Sequence, residues 1–240
     1  MSDKTSTNKP HRRYNPLSDK WVLVSPNRSN RPWNGKVETP SEVIEVHHDD
    51  GCYLCAGNTR VSGEVNDDYQ GCFVFNNDFA AIHPEDNMEK SSDDLFRSED
   101  VSGQCKVICY SPDHSKTLPE LSLLEIDEII DTWCGIYKDL ETNFDWVQIF
   151  ENKGEINGCS NPHPHGQVWA SSHIPSEVDR EDAQQKTYYD EKNSSMLLDY
   201  AKREIDNEER VVCFNEDWVV VVPYWASWPY ETLLMPRSQV

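Results

Sequence analysis

No run of about 18 apolar residues occurs in the 240-residue chain, so no membrane-spanning helix is expected. The N-terminal "MSDKTSTNKPHRRYNP" lacks an apolar core, so no secretory signal is visible and a cytoplasmic location is expected. Basic residues are scarce: 22 Lys and Arg stand against 43 Asp and Glu, a formal net charge of −21. Such a surface repels phosphate backbones and argues against general nucleic-acid binding. It is compatible with a small phosphate ligand held in a local basic pocket. The acidity concentrates in 85–100 and 177–209, where most carboxylates read as solvated surface.

The chain does hold eight cysteines, at 52, 55, 72, 105, 109, 134, 159 and 213. Without an export signal, a disulfide framework is not expected. Cys105, Cys109 and Cys213 fall in expected strands and Cys134 in an expected helix, so these four read as small buried hydrophobes.

Strands are expected at 21–25, 72–82, 105–111, 146–152, 166–172, 210–223 and 231–236, with 83–104 a mobile acidic loop. Ser122 and Glu125 form a capping-box pattern. Leu124, Ile129, Trp133, Ile136, Tyr137 and Leu140 then follow at helical spacing to about 143. A second, acidic helix is expected over 177–207, interrupted near Asn193. "FNNDF" (75–79) is echoed by "FNEDW" (214–218), which reads as one and a fraction copies of an α+β unit, or as a chance likeness of five residues.

Two motifs carry chemistry. "CYLC" sets Cys52 and Cys55 at the C-x₂-C spacing that grips one tetrahedral metal. Two further ligands are needed. His11, His47 and His48 have little context; His114 alone reads as a turn residue, but with His163 it completes a Cys₂His₂ set. "SNPHPHGQ" then places His163 and His165 on one face if extended, about 6.5 Å apart. Pro162 and Pro164 stiffen that segment and cannot donate to a sheet ladder. One imidazole can be tethered to a metal while the other acts as a nucleophile toward phosphorus. "NGCSN" (157–161) offers N–H groups and Ser160 to anionic oxygens, and Gln167 shares the face of His165. Arg28 and Arg31 are local cations suited to a diphosphate.

"SNPHPHGQ", "CYLC", "SPDHSKTLPELS", "FENKG", "NDFAA" and "VVPYWASWP" together resemble the galactose-1-phosphate uridylyltransferase family of the histidine-triad superfamily, over nearly the whole chain. The resemblance implies a mostly antiparallel sheet with packed helices. It divides the chain into a flexible tail (1–15), a complete catalytic and zinc-binding unit (16–176) and an incomplete second unit (177–240), as if a C-terminal part were lacking. It implies ping-pong chemistry: UDP-glucose gives UMP to His165 with release of glucose-1-phosphate, and galactose-1-phosphate takes it to form UDP-galactose. Cys52, Cys55, His114 and His163 match zinc ligands. Val61, Asn77, Asp78, Asn152, Gly158, Cys159, Ser160 and Gln167 match UDP-sugar contacts, and Arg28 and Arg31 a loop reaching the other subunit of a homodimer. Glu181 matches one ligand of a second metal, often iron, whose other ligands this sequence lacks. Within the superfamily, hydrolases carry H-x-H-x-H; here Gln167 replaces the last histidine and can only hydrogen-bond, which suits an intermediate that waits for a sugar phosphate. The alternatives are a dinucleotide phosphorylase or adenylyltransferase of that superfamily, or a catalytically weak, truncated zinc-binding chain.

Overall fold

The structure, a computed structural model, describes residues 9–30, 32, 45–85, 87–159 and 161–239. The chain divides into two units, 39–174 and 1–38 with 175–240.

The 39–174 unit is built on a four-stranded antiparallel sheet, β3 (Phe73–Asn76), β6 (Gly103–Cys109), β8 (His165–Ser171) and β7 (Trp146–Phe150), paired in that order. β8 alternates: Gly166, Val168 and Ala170 are buried, whereas His165 and Gln167 point to the other face. Val168 and Ala170 pack with Ile108 of β6 against helix α1 (Leu123–Leu140). The helix starts where expected, with Ser122 as N-cap and Glu125 closing the capping box. Its buried stripe is Ile129, Ile136 and Leu140, with Trp133 packed alongside. Leu124 and Tyr137 lie off this stripe and are exposed, contrary to the sequence reading.

The opposite face of the sheet carries the site. Cross-strand partners share a face, so Phe73 with Cys109 and His165, and Phe75 with Val107 and Gln167, project together. The Cys52–Cys55 loop covers the β3–β6 side of that face, in a cluster of Cys52, Leu54, Cys55, Tyr69, Val107 and Cys109.

In the other unit, β1 (His11–Asn15) pairs antiparallel with β2 (Lys20–Val24). Residues 11–15 are thus a strand where a flexible tail is expected; residues 1–8 lie outside the described ones. Helices α2 (Ser176–Lys192) and α3 (Met196–Asn207) are separated at Asn193, which takes the left-handed conformation (φ 52°) that ends a helix. α3 packs Ala201 against Val219, Val221 and Met235 of the three-stranded sheet β9 (Val211–Phe214), β10 (Trp218–Val221) and β11 (Leu233–Pro236). Val212, Phe214, Trp218 and Leu234 remain exposed.

Three expectations need correction. The segment 83–104 holds a hairpin, β4 (Lys90–Ser92) with β5 (Arg97–Glu99), closed by the Asp93 carboxylate accepting from the Leu95 and Phe96 N–H groups. The single strand 210–223 is two, split where Asn215 Oδ1 accepts from Asp217 N and Trp218 N. "FNNDF" turns in a related way, with Asn77 Oδ1 accepting from Phe79 N. The two copies therefore share a strand that runs into an Asn-held turn. Of the four cysteines expected in the core, Cys105 and Cys109 are buried, but Cys134 and Cys213 are exposed. No helix among the described residues is long and apolar enough to cross a membrane.

Candidate metal centre and active site

The structure brings Cys52, Cys55, His114 and His163 together, their ligand atoms all within 4.8 Å of one another. Cys55 Sγ lies 3.4 Å from His114 Nδ1 and 3.5 Å from His163 Nδ1, and the two Nδ1 atoms are 3.3 Å apart. A tetrahedral zinc with ordinary bond lengths has edges of about 3.6 Å between sulfur and nitrogen and about 3.3 Å between nitrogens. The donor set fits. Both cysteines and His163 are buried. Burial pushes the Cys55 thiol up to about 11, so a thiolate there calls for a cation beside it. Burial first, then His114 and His165, pulls His163 down to about 4, leaving the neutral imidazole a metal requires.

The tautomer of His163 follows from its neighbour. The Tyr69 hydroxyl donates its one proton to Leu54 O at 2.7 Å. It must then accept at its other contact, from His163 Nε2 at 3.0 Å. Nε2 carries the proton, and Nδ1 faces the other donors with a free lone pair. Asn161 ties the centre to the adjoining chain: its Oδ1 accepts from His163 N at 2.9 Å and its Nδ2 points to Cys52 Sγ at 3.3 Å.

His165 opens β8, one residue beyond Pro164. Its Nδ1 donates to the His163 main-chain oxygen at 2.7 Å, since a carbonyl can only accept. Nε2 is therefore the free, basic nitrogen. The peptide that supplies this acceptor is pinned on both sides, by Asn161 on His163 N and by Tyr110 N donating to Pro164 O at 2.9 Å. Beneath the strand, a Cβ on Gly166 would stand 2.0 Å from the Tyr110 hydroxyl, so only glycine lets the chain pass.

Two cavities meet at His165. One, of about 620 Å³, is lined by Thr117, Glu151, Lys153, Cys159, His163 and His165 among others. The second, of about 180 Å³, is lined by Phe75, Asn77, Asp78, Phe79, His165 and Gln167 with the Tyr53–Leu54 loop and Val107. Cys159 donates its thiol to Asn161 O at 3.0 Å, and Gly158 takes the left-handed conformation (φ 83°) at the end of a one-turn 3-10 helix, Glu155–Asn157.

The other residues singled out by the sequence are placed less centrally. Val61 is 60% exposed on a turn and lines neither cavity, and Asn152 is likewise exposed and outside both linings. Arg28 is exposed on a 3-10 turn, Pro26–Asn30, in the other unit. Arg31 and Ser160 lie outside the described residues. Glu181 sits on α2, and among the described residues it joins no cluster able to hold a metal. Conversely, the sequence reading assigned no side-chain role to Tyr69, Asn161, Glu151 or Lys153. Burial raises the Glu151 carboxyl, opposed by Lys153 and His165. "FENKG" flagged that stretch without saying which side chain faces the cavity.

The family model described as "Galactose-1-phosphate uridyl transferase, N-terminal domain" matches residues 1–175, and its C-terminal counterpart matches 181–240. The chain belongs to the galactose-1-phosphate uridyl transferase family. Relatives include the galactose-1-phosphate uridylyltransferase of Haemophilus influenzae, 54% identical over 98% of this chain and 67% of that protein. That of Rattus norvegicus is 48% identical over 96% of this chain and 61% of its own length. The chain thus spans roughly three fifths to two thirds of the relatives it matches. Among solved structures, an ADP-glucose phosphorylase from Arabidopsis thaliana superimposes with a TM-score of 0.72 at 22% identity, covering 97% of this chain and 69% of that one. A uridylyltransferase structure superimposes with a TM-score of 0.66 at 23% identity, covering 95% and 66%. These likenesses show that the fold is shared: an antiparallel sheet with packed helices, as the motifs of this family imply.

Proposed function

We propose that this chain is a nucleotidyltransferase that moves UMP from UDP-glucose through His165 to galactose-1-phosphate. The observation that carries the reading is the free Nε2 of His165 at the junction of two cavities, its other nitrogen engaged by the His163 carbonyl. The relatives from Haemophilus influenzae, Rattus norvegicus and Cryptococcus neoformans, each named a galactose-1-phosphate uridylyltransferase, support the same substrates.

In the first half-reaction His165 Nε2 attacks the α-phosphorus, forming an N–P bond as the P–O bond to glucose-1-phosphate breaks. The leaving group is itself a phosphate and departs as a stable anion, so no proton donor is needed. Gln167, beside His165 in the smaller cavity, donates an amide N–H to a phosphoryl oxygen and cannot protonate anything. In the second half-reaction a phosphate oxygen of galactose-1-phosphate displaces the histidine and returns it to its starting state. Cys52, Cys55, His114 and His163 would hold a zinc ion, which supplies a structural clamp on the peptide beside the nucleophile. In the same reading Arg28 and Arg31 of each subunit serve the neighbouring site of a homodimer.

The test is the intact mass after mixing the protein with UDP-glucose, which should rise by one UMP, acid-labile and stable to mild base. His165→Asn should lose the adduct and keep its far-UV circular dichroism. An adduct that persists in that variant overturns the assignment. Labelling by ADP-glucose in place of UDP-glucose favours the phosphorylase reading.

A further inference from the structure

Arg60 is a buried cation that neither the sequence motifs nor the site chemistry has used. Its side chain is 7% exposed, and its Nε and Nη1 have no hydrogen-bond partner among the described residues. One side of the guanidinium is satisfied by Glu64, across the turn that Arg60 N closes by donating to Glu64 O at 2.7 Å. Its flat face lies 4.2 Å from the centre of the Phe75 ring. Its remaining edge faces Asp78, with Nε 4.0 Å from Oδ2, close enough to attract and too far to hydrogen-bond. Phe75 and Asp78 both line the smaller cavity beside His165.

The chemistry of this arrangement is directional. Asp78 is acceptor-only when ionised, so in a nucleotide-sugar site it can meet hydroxyl or N–H donors and must avoid phosphate. A carboxylate on a loop needs a second contact to hold it at the right angle, and Arg60 stands where that contact belongs. We propose that Arg60 is a positioning residue, which from behind the cavity wall holds Asp78 and Phe75 in place to receive the donor groups of a nucleoside. The inference deepens the uridylyl-transfer reading and rests on it. Ligand donors that engage Asp78 leave its far oxygen to close the gap to Arg60 Nε, so the unpaired Nε–H finds its partner in the bound state. Glu64 is 70% exposed on the outer side and serves as the control for a purely structural role of the same arginine.

The experiment is calorimetric binding of UDP to the zinc-loaded full chain, with zinc content measured for each variant. Asp78→Asn and Arg60→Met should each weaken UDP binding roughly 10- to 100-fold, the scale of a displaced contact group. The double variant should be no worse than the worse single one, because the two act as a unit. Arg60→Lys, which keeps the charge and loses the planar stack, should fall between. Glu64→Gln should bind UDP as the parent does. Unchanged affinity in Arg60→Met, or losses that add fully in the double variant, would overturn the proposal. If Arg60→Met does not fold, the cycle of Arg60→Lys with Asp78→Asn decides by the same criterion. Failure of the parent chain to bind UDP overturns instead the uridylyl-transfer reading beneath it.

Discussion

At His163 and His165 the position of each proton is set by a single oxygen atom. The Tyr69 hydroxyl, already committed as a donor to Leu54, obliges His163 to protonate at Nε2. Tyr69→Phe removes that acceptor and strands a buried N–H. Zinc affinity, measured by competition with a chromophoric chelator, should fall about 10- to 100-fold, as for other partners of metal-bound histidines. At saturating zinc the UMP adduct on His165 should still form; unchanged affinity would show that the tautomer is fixed elsewhere. Cys52, Cys55 and His163 were legible in the sequence because C-x₂-C and H-x-H are local spacings, whereas His114, isolated in its turn, entered only as the partner needed to complete the set. Tyr69 was not legible, since it reaches His163 across 94 residues and a lone tyrosine carries no spacing. Arg60 escaped for the same reason: its meaning comes from Phe75 and Asp78, on a different stretch of chain.

Helix α1 shows how one end of an element can be tuned by pH. Hydrogen bonds from Ser122, chiefly its main-chain N–H, with further help from Lys116, pull Glu125 down to about 2. A folded-state value below the unfolded one means that the contribution is complete above about pH 4.5 and is lost as pH falls toward 2. Glu125→Gln should therefore lower the melting temperature near neutral pH, by an amount equivalent to roughly 0.3–1 kcal/mol for a charge at a helix start. The gap between variant and parent should narrow as pH falls below about 4.5. A gap that stays constant from pH 7 to 3 would assign the effect to packing instead of charge. The helix was readable because capping box and apolar stripe coincide, whereas Leu124 and Tyr137 misled by being apolar and one step off the stripe. The β4–β5 hairpin was unreadable: every residue in both strands is exposed, so no alternation marks them, and the turn is held by two short side chains, the Asp93 carboxylate and the Ser91 hydroxyl that donates to Phe96 O.

The whole molecule carries a formal charge of −21, yet the proposed substrates are anions. Long-range repulsion should slow their approach, with Lys153 in the larger cavity a local exception. Raising salt from 0.01 to 0.15 M shortens the screening length from about 30 to about 8 Å. kcat/KM for UDP-glucose should rise over that range, on the order of 3-fold; a fall would show that local cations govern capture. The pinned peptide between His163 and His165 has a different kind of consequence. What aims the nucleophile is a main-chain oxygen, and every amino acid brings one. No point mutation can delete it, so the aim of His165 can be eroded only from the flanks, through Asn161, the two prolines, Gly166 or the metal ligands. Genetic damage to such a catalyst should gather in those supporting positions as heavily as at the histidine that does the chemistry.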